Sequence, residues 1–187
     1  MTPSEIFFGL SSVILGLALT EIASSIAKLL RAGRQVRWAP EPVLQTILII
    51  MILVYVWADQ WWYHDRASFT VGQALFQVAK LMALYVAAAS VLGEREGKMS
   101  VDLKEHYYAL RGVTYGSLCI SLSLFEAYAV VFAVAPRPFG FERFLAAAWL
   151  PLAYLIAAVV RWRAYHLLLL VGVIVSFARA ITVIAIK

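Results

Sequence analysis

Val43-Leu44-Gln45-Thr46-Ile47-Leu48-Ile49-Ile50-Met51-Ile52-Leu53-Val54-Tyr55-Val56-Trp57 contains no charged residue, and the apolar stretch it opens runs to Tyr63. That length is close to the ~20 residues a helix needs to cross the hydrocarbon of a bilayer. Similar stretches recur on both sides, at Ile6 to Leu30, Phe69 to Leu92, Val113 to Val134, Phe144 to Val160 and Leu167 to Ile186. With 63% hydrophobic and 14% charged residues over 187 positions, no ordinary soluble domain could hide so much apolar surface. The expected fold is an all-α integral membrane protein of six transmembrane helices, one transmembrane domain over residues 1–187. The first stretch lacks a basic leader, runs long and contains Glu21, so it is expected to remain in the mature protein rather than to be cleaved as a signal peptide.

Charge orders the ends of these helices. Lys28, Arg31, Arg34, Arg37, Arg95, Lys98, Lys104, Arg111, Arg161 and Arg163 fall on one face of a six-span topology, whereas Arg66, Arg137, Arg143 and Lys187 fall on the other. The richer face is expected to be cytoplasmic, which puts both termini outside. Read this way, the net charge of +5 reports topology and not a nucleic-acid partner; the expected partner is the lipid bilayer. Trp57, Trp61, Trp62 and Tyr63 mark the outer edge, and Trp38, Tyr107, Tyr108 and Trp162 the inner one, as interfacial anchors.

Two glutamates lie inside apolar sequence in similar words, Leu17-Ala18-Leu19-Thr20-Glu21 and Leu122-Ser123-Leu124-Phe125-Glu126. Tyr63-His64 matches Tyr165-His166, and Val71-Gly72 matches Val171-Gly172, with Lys80 and Arg179 following at similar spacing. Two readings stay open: chance similarity between apolar segments, or an inverted three-helix repeat over 5–92 and 110–187 joined by a connector at 93–109. In the connector, Asp102 with Glu105 three positions on signals a helix start. Inverted repeats are a frequent building plan of transporters, with sites near the midplane.

A charged side chain at the bilayer centre costs about 2.5–3.5 kcal/mol on insertion scales, and such residues usually pair inside the bundle. The pairs expected from depth are Glu21 with Lys80 and Glu126 with Arg179, either as dry structural ion pairs or as a hydrated ion or substrate site. Asp59, His64 and Asp65 form a weaker candidate at the outer end of the second helix. Ser12, Gly16, Thr20 and Ser24 make a small-residue stripe suited to close helix packing, within the chain, with a second copy in a homo-oligomer, or with a membrane protein partner. Pro151 is expected to kink the fifth helix. The histidines match no metal motif, no cofactor is expected, and no hydrolase, nucleotide-binding or zinc-protease pattern occurs.

The run Leu15-Gly16-Leu17-Ala18-Leu19-Thr20-Glu21, the segment Ala27-Lys28-Leu29-Leu30-Arg31, and Asp102-Leu103-Lys104-Glu105-His106-Tyr107-Tyr108 together resemble a group of small, uncharacterised bacterial multi-pass inner-membrane proteins. That resemblance implies a bacterial inner membrane and carries no activity or site residues. The function expected from the buried charges is that of a small transporter or channel, with a non-transporting scaffold or accessory subunit as the alternative. An intramembrane enzyme has no motif in its favour.

Overall fold

The computed structural model describes the backbone of residues 3–61, 70–92, 101–132 and 141–183, and side chains from 5–59, 70–92, 101–128, 130–132 and 148–179. Within these residues the chain is all-α, with six helices: α1 (Pro3–Ala32), α2 (Pro40–Trp61), α3 (Val71–Ser90), α4 (Leu103–Val131), α5 (Phe141–Val159) and α6 (Arg163–Val183). Three of them, α1, α2 and α3, are long and apolar enough to cross a membrane, and Ala148–Val159 of α5 is a shorter apolar run.

Local chemistry sets the helix boundaries. Thr70 caps α3 through a full capping box: its hydroxyl accepts from the Gln73 amide at 3.2 Å, and the Gln73 side chain accepts from the Thr70 amide at 2.9 Å. Asp102 caps α4, its Oδ1 accepting from the amides of Lys104 (3.0 Å) and Glu105 (3.1 Å). A 3-10 turn at Gly33–Gln35 ends α1, and Gly33, at φ +55, occupies the left-handed region that glycine tolerates without a Cβ penalty. Helix α5 continues through Pro151 to Val159.

One feature of the backbone is absent from a purely helical reading. Beyond the 3-10 turn, β1 (Val36–Arg37) pairs in parallel with β2 (Val101–Asp102), Val36 opposite Val101 and Arg37 opposite Asp102. Arg37 and Asp102 also approach to 3.8 Å, as an exposed ion pair of little energetic weight. The pairing fixes the end of α1 beside the start of α4, so both lie at the same end of the bundle, called here the inner end.

Helix α4 is the centre of the packing. It lies against α3 and α5 in the two most extensive interfaces; α1 packs chiefly on α3, and α2 packs on α6 and α1. The core is a continuous cluster in which Leu48, Ile49, Leu53, Leu81, Leu84 and Leu118 are fully buried. Much apolar surface faces outward instead: Val71 is 77% exposed, Leu168 74% and Val159 72%. An exposed apolar surface of this kind suits lipid, not water.

Helix α1 buries Ser11, Leu15, Ala18, Ile22, Ser25 and Leu29, a seam of alternating four- and three-residue steps. The predicted small-residue stripe runs off this seam. Ser12 and Ser24 are half-buried, whereas Gly16 and Thr20 are exposed, and a Cβ built on Gly16 meets nothing within 4 Å. The stripe therefore does not bury itself within the chain, because steps of four drift around a helix of 3.6 residues per turn.

Candidate functional site: a midhelix lysine and an inner-end tyrosine–histidine cluster

Lys80 sits at the middle of α3 and is 2% exposed. Its ammonium lies over the Phe125 ring of α4, 4.7 Å from the centroid, in a cation–π contact. The Lys80 backbone carbonyl accepts the Ser121 hydroxyl at 3.1 Å, which ties α4 to α3 at this level. Asp59, near the end of α2, is the carboxylate whose charge acts on Lys80. No hydrogen bond or direct ion pair holds the Lys80 amine among the described residues. One turn away on the same helix, Gln77 is buried with its Oε1 unpartnered.

The expected pairing of Lys80 with Glu21 is not what the structure brings together. Glu21 is half-buried on α1, beside the seam residue Ile22, and no hydrogen bond or ion pair joins it to Lys80 among the described residues. Glu126 is half-buried on α4 and Arg179 exposed on α6, and each is engaged in an interaction. Helices α4 and α6 are not among the principal packing partners within the described residues. Asp59 stands near the end of α2, where the weaker candidate is expected, and its charge acts on Lys80; His64 and Asp65 lie outside the described residues.

A second constellation forms at the inner end, from residues that sequence reading treats as membrane-edge anchors. Glu41 in the first turn of α2 is fully buried, and its Oε1 accepts from Arg163 Nε of α6 at 2.6 Å; the Arg163 side chain is 55% exposed. His166, one turn further along α6, is fully buried, with Nε2 2.9 Å from the Val160 carbonyl and Nδ1 2.8 Å from the Tyr107 hydroxyl. Tyr107 in turn lies 2.8 Å from the Tyr115 hydroxyl. The rings pack edge to face: Tyr107 and His166 centroids are 5.4 Å apart, Tyr108 and His166 5.5 Å. Tyr107 is 2% exposed, so it is a core residue and not the interfacial anchor expected; Trp38 and Trp162 do stay exposed at this end.

Several buried polar atoms in and beside this cluster lack a hydrogen-bond partner: Glu41 Oε2, Gln45 Nε2, Tyr108 OH, Arg111 Nε and Tyr154 OH. Buried polar groups are normally satisfied, so these atoms are exceptions that a bound water or solute would satisfy. Arg111 spends its other nitrogens on the carbonyl of Tyr108 and on that of Val159 at the end of α5, 3.2 Å away.

Electrostatics follow from burial. Desolvation pulls the His166 imidazole below its ordinary value, the Val160 carbonyl opposes this, Arg111 adds to the lowering, and Glu41 acts against it. His106, whose Nε2 lies 3.3 Å from the Ser90 carbonyl, is also lowered, chiefly by burial, with that carbonyl opposing. Burial raises the Tyr107 phenol well above the usual range, so it serves as a neutral hydrogen-bonding group.

The signal for this cluster is present in the sequence as periodicity. Leu103, Tyr107, Thr114, Leu118 and Ser121 recur at steps of three, four or seven residues and share the buried face of α4. Among the described residues no group of three or more His, Cys, Asp or Glu is arranged to hold a metal. Comparison of the chain with protein-family models, with curated proteins and with solved structures finds no match.

Proposed function

We propose that the chain is a six-span protein of a bacterial inner membrane, with both termini on the periplasmic side, that moves a small ion or solute across the bilayer. The observation that carries this reading is Lys80: a buried amine at the middle of an apolar helix, held by no direct ion pair among the described residues, with Asp59 in electrostatic reach. An intramembrane ionisable residue is costly and faces a bundle interior or a water-filled path by default. Between Lys80 and the inner cluster lie Leu84 and Leu118, and on α2 Leu48, Ile49, Ile52 and Leu53, all buried. In this reading these residues form the closed barrier, and substrate passes when α2, α3 and α4 part there.

Helix lengths support six spans, since 19 to 30 residues correspond to ~28–45 Å at 1.5 Å per residue. The inner-end position of Arg37, Arg111 and Arg163 supports a cytoplasmic inner face. The inverted repeat is not part of the proposal. α1 packs heavily on α3, but α4 has no comparable contact with α6, so the halves are packed differently.

Purified protein in proteoliposomes tests the transport reading. Screening the flux of protons, alkali cations and small anions should find one species whose movement is abolished by Lys80→Met and reduced by Asp59→Asn, with the helical spectrum unchanged. Flux that survives Lys80→Met would remove the site.

The non-transporting reading has its own observation. Ile6, Leu10, Val13 and Leu17 of α1 are exposed beside Gly9 and Gly16, where a Cβ would meet nothing. A face of this composition allows close approach by another helix, from a second copy or an accessory partner. Recovery of a stoichiometric partner from native membranes, together with no flux, would favour it.

A further inference from the structure

The hydrogen bonds at the inner end have a direction. The Val160 carbonyl can only accept, so His166 Nε2, at 2.9 Å, carries a proton. In the neutral imidazole Nδ1 is then an acceptor, and it takes the Tyr107 hydroxyl proton at 2.8 Å. The Tyr107 oxygen is left to accept from Tyr115, also at 2.8 Å. Beyond Tyr115 stands Tyr154 of α5, with rings 5.7 Å apart and a buried hydroxyl that has no partner.

We propose that His166 is a reversible proton-binding site, and that loading it reverses the direction of the Tyr107–Tyr115–Tyr154 chain. One proton enters from the solvent at the rim beside Arg163 and binds Nδ1. The new N–H donates to the Tyr107 oxygen, the Tyr107 hydroxyl turns to donate to Tyr115, and the Tyr115 hydroxyl turns towards Tyr154. Each phenol keeps its own proton and only rotates, so one proton is gained and none is lost.

Two features separate this from a merely structural histidine. First, the chain ends beside the Tyr154 hydroxyl, buried and without a partner, so a Tyr115 hydroxyl turned that way gains an acceptor once the two rings close to hydrogen-bond distance. An ordinary buried histidine, protonated, would leave a new donor facing another donor and unsatisfied. Second, the charge gained has a counter-charge in reach. Facing His166 are Glu41 from α2; Tyr107, Tyr108, Arg111 and Tyr115 from α4; Tyr154 from α5 through Tyr115; and Arg163 and Tyr165 from its own helix. Of these, Arg111 and Arg163 oppose an imidazolium and Glu41 favours it. Arg163 is engaged by Glu41 Oε1, and Arg111 donates to carbonyls, while Glu41 Oε2 remains unpartnered. The inference does not rest on transport, since a proton-sensing accessory subunit would use the same site.

The test uses the full chain in lipid nanodiscs with isotope-labelled histidine, followed by nitrogen NMR over about pH 5 to 8. The spectrum of His166→Gln assigns the resonance. The expected result is a neutral form protonated on Nε2 that titrates reversibly with the helices intact. Tyr154→Phe should lower its proton affinity by about tenfold, in line with an unsatisfied buried donor, whereas Tyr165→Phe should leave it within about twofold. Infrared difference spectra of the unmutated protein with ring-labelled tyrosine should change with the same midpoint, and they decide the matter if Tyr154→Phe does not fold. An imidazole that stays neutral to pH 5, or titrates without any tyrosine change, overturns the proposal.

Discussion

Arg163 Nε lies 2.6 Å from Glu41 Oε1, across 122 residues of chain, and joins the first turn of α2 to the first turn of α6. The two ends of this bond are in different solvents. Glu41 is fully buried, whereas the Arg163 side chain is 55% exposed. Removing the arginine leaves a buried carboxylate with no cation; removing the carboxylate merely returns the arginine to the surface.

Arg163→Gln is therefore expected to destabilise the protein by about 1–3 kcal/mol, below the range for a fully buried pair because one partner is half in water. Glu41→Gln should cost less, and the double variant less than Arg163→Gln alone. Thermal unfolding of the four proteins in one detergent completes the double-mutant cycle. Equal losses for both single variants would show that Glu41 is not the desolvated partner.

Acidification should loosen the same end of the molecule. His106 and His166 both have folded-state values below the ordinary 6.5 of the unfolded chain. As the pH falls through 6.5 the unfolded chain takes up protons first, so the stability these groups contribute is full above that value and is lost as the pH falls towards the folded values. The melting temperature should drop between about pH 7.5 and pH 5.5. His106→Gln should flatten part of that drop, and a melting temperature that rises on acidification would reverse the sign of the argument.

The sequence reveals which segments are helical far better than which side chains meet. Within the described residues all six apolar stretches fall on helices, because runs of that length so poor in charge have few other ways to satisfy their backbone. The partners of Lys80 and Glu41 are another matter. Glu21 is the carboxylate whose depth suits Lys80, and only the rotation and tilt of α1 and α2 against α3 leave Asp59, near the end of α2, as the charge that acts on it. Glu41 stands in Pro40-Glu41-Pro42 at a helix start, where an acidic residue needs no partner to be explained. Its burial depends on α6, more than a hundred residues away. Tyr107 shows a different failure: tyrosines beside a basic loop resemble interfacial anchors, and only their place in the α4 periodicity gives the buried one away.

Lys80→Met should leave the fold as stable or make it more so, because a buried cation is replaced by an apolar chain of similar length. Asp59→Asn in the presence of Lys80 should destabilise, since it removes the counter-charge and keeps the ammonium. Chemical denaturation in mixed micelles distinguishes the two. A large loss with Lys80→Met would mean that the amine holds a structural bond, which runs against a role in transport.

Gly16→Ala should be sterically silent within one chain, for a Cβ there meets nothing within 4 Å. In a helix interior the change from glycine to alanine contributes about 1 kcal/mol of helix stability. A rise in melting temperature with no change in oligomeric state is the outcome for a lipid-facing stripe. Loss of a cross-linked dimer with unchanged helicity would instead locate a helix–helix interface on that face of α1.

Arg111 acts through the carbonyls it holds and not through an ion pair. By donating to Val159 it satisfies one of the carbonyls that the end of α5 leaves without an intrahelical donor. Val159 directly precedes Val160, whose carbonyl binds His166, so one arginine steadies the segment on which the histidine depends. Arg111→Met should fray the end of α5 at a cost of about 1–2 kcal/mol. Hydrogen exchange should quicken in the last turn of α5 and at His166, whose amide bonds to the Trp162 carbonyl at 3.3 Å. It should stay slow in the middle of α3. Exchange that accelerates equally at Lys80 would indicate global unfolding and would deny Arg111 this local role.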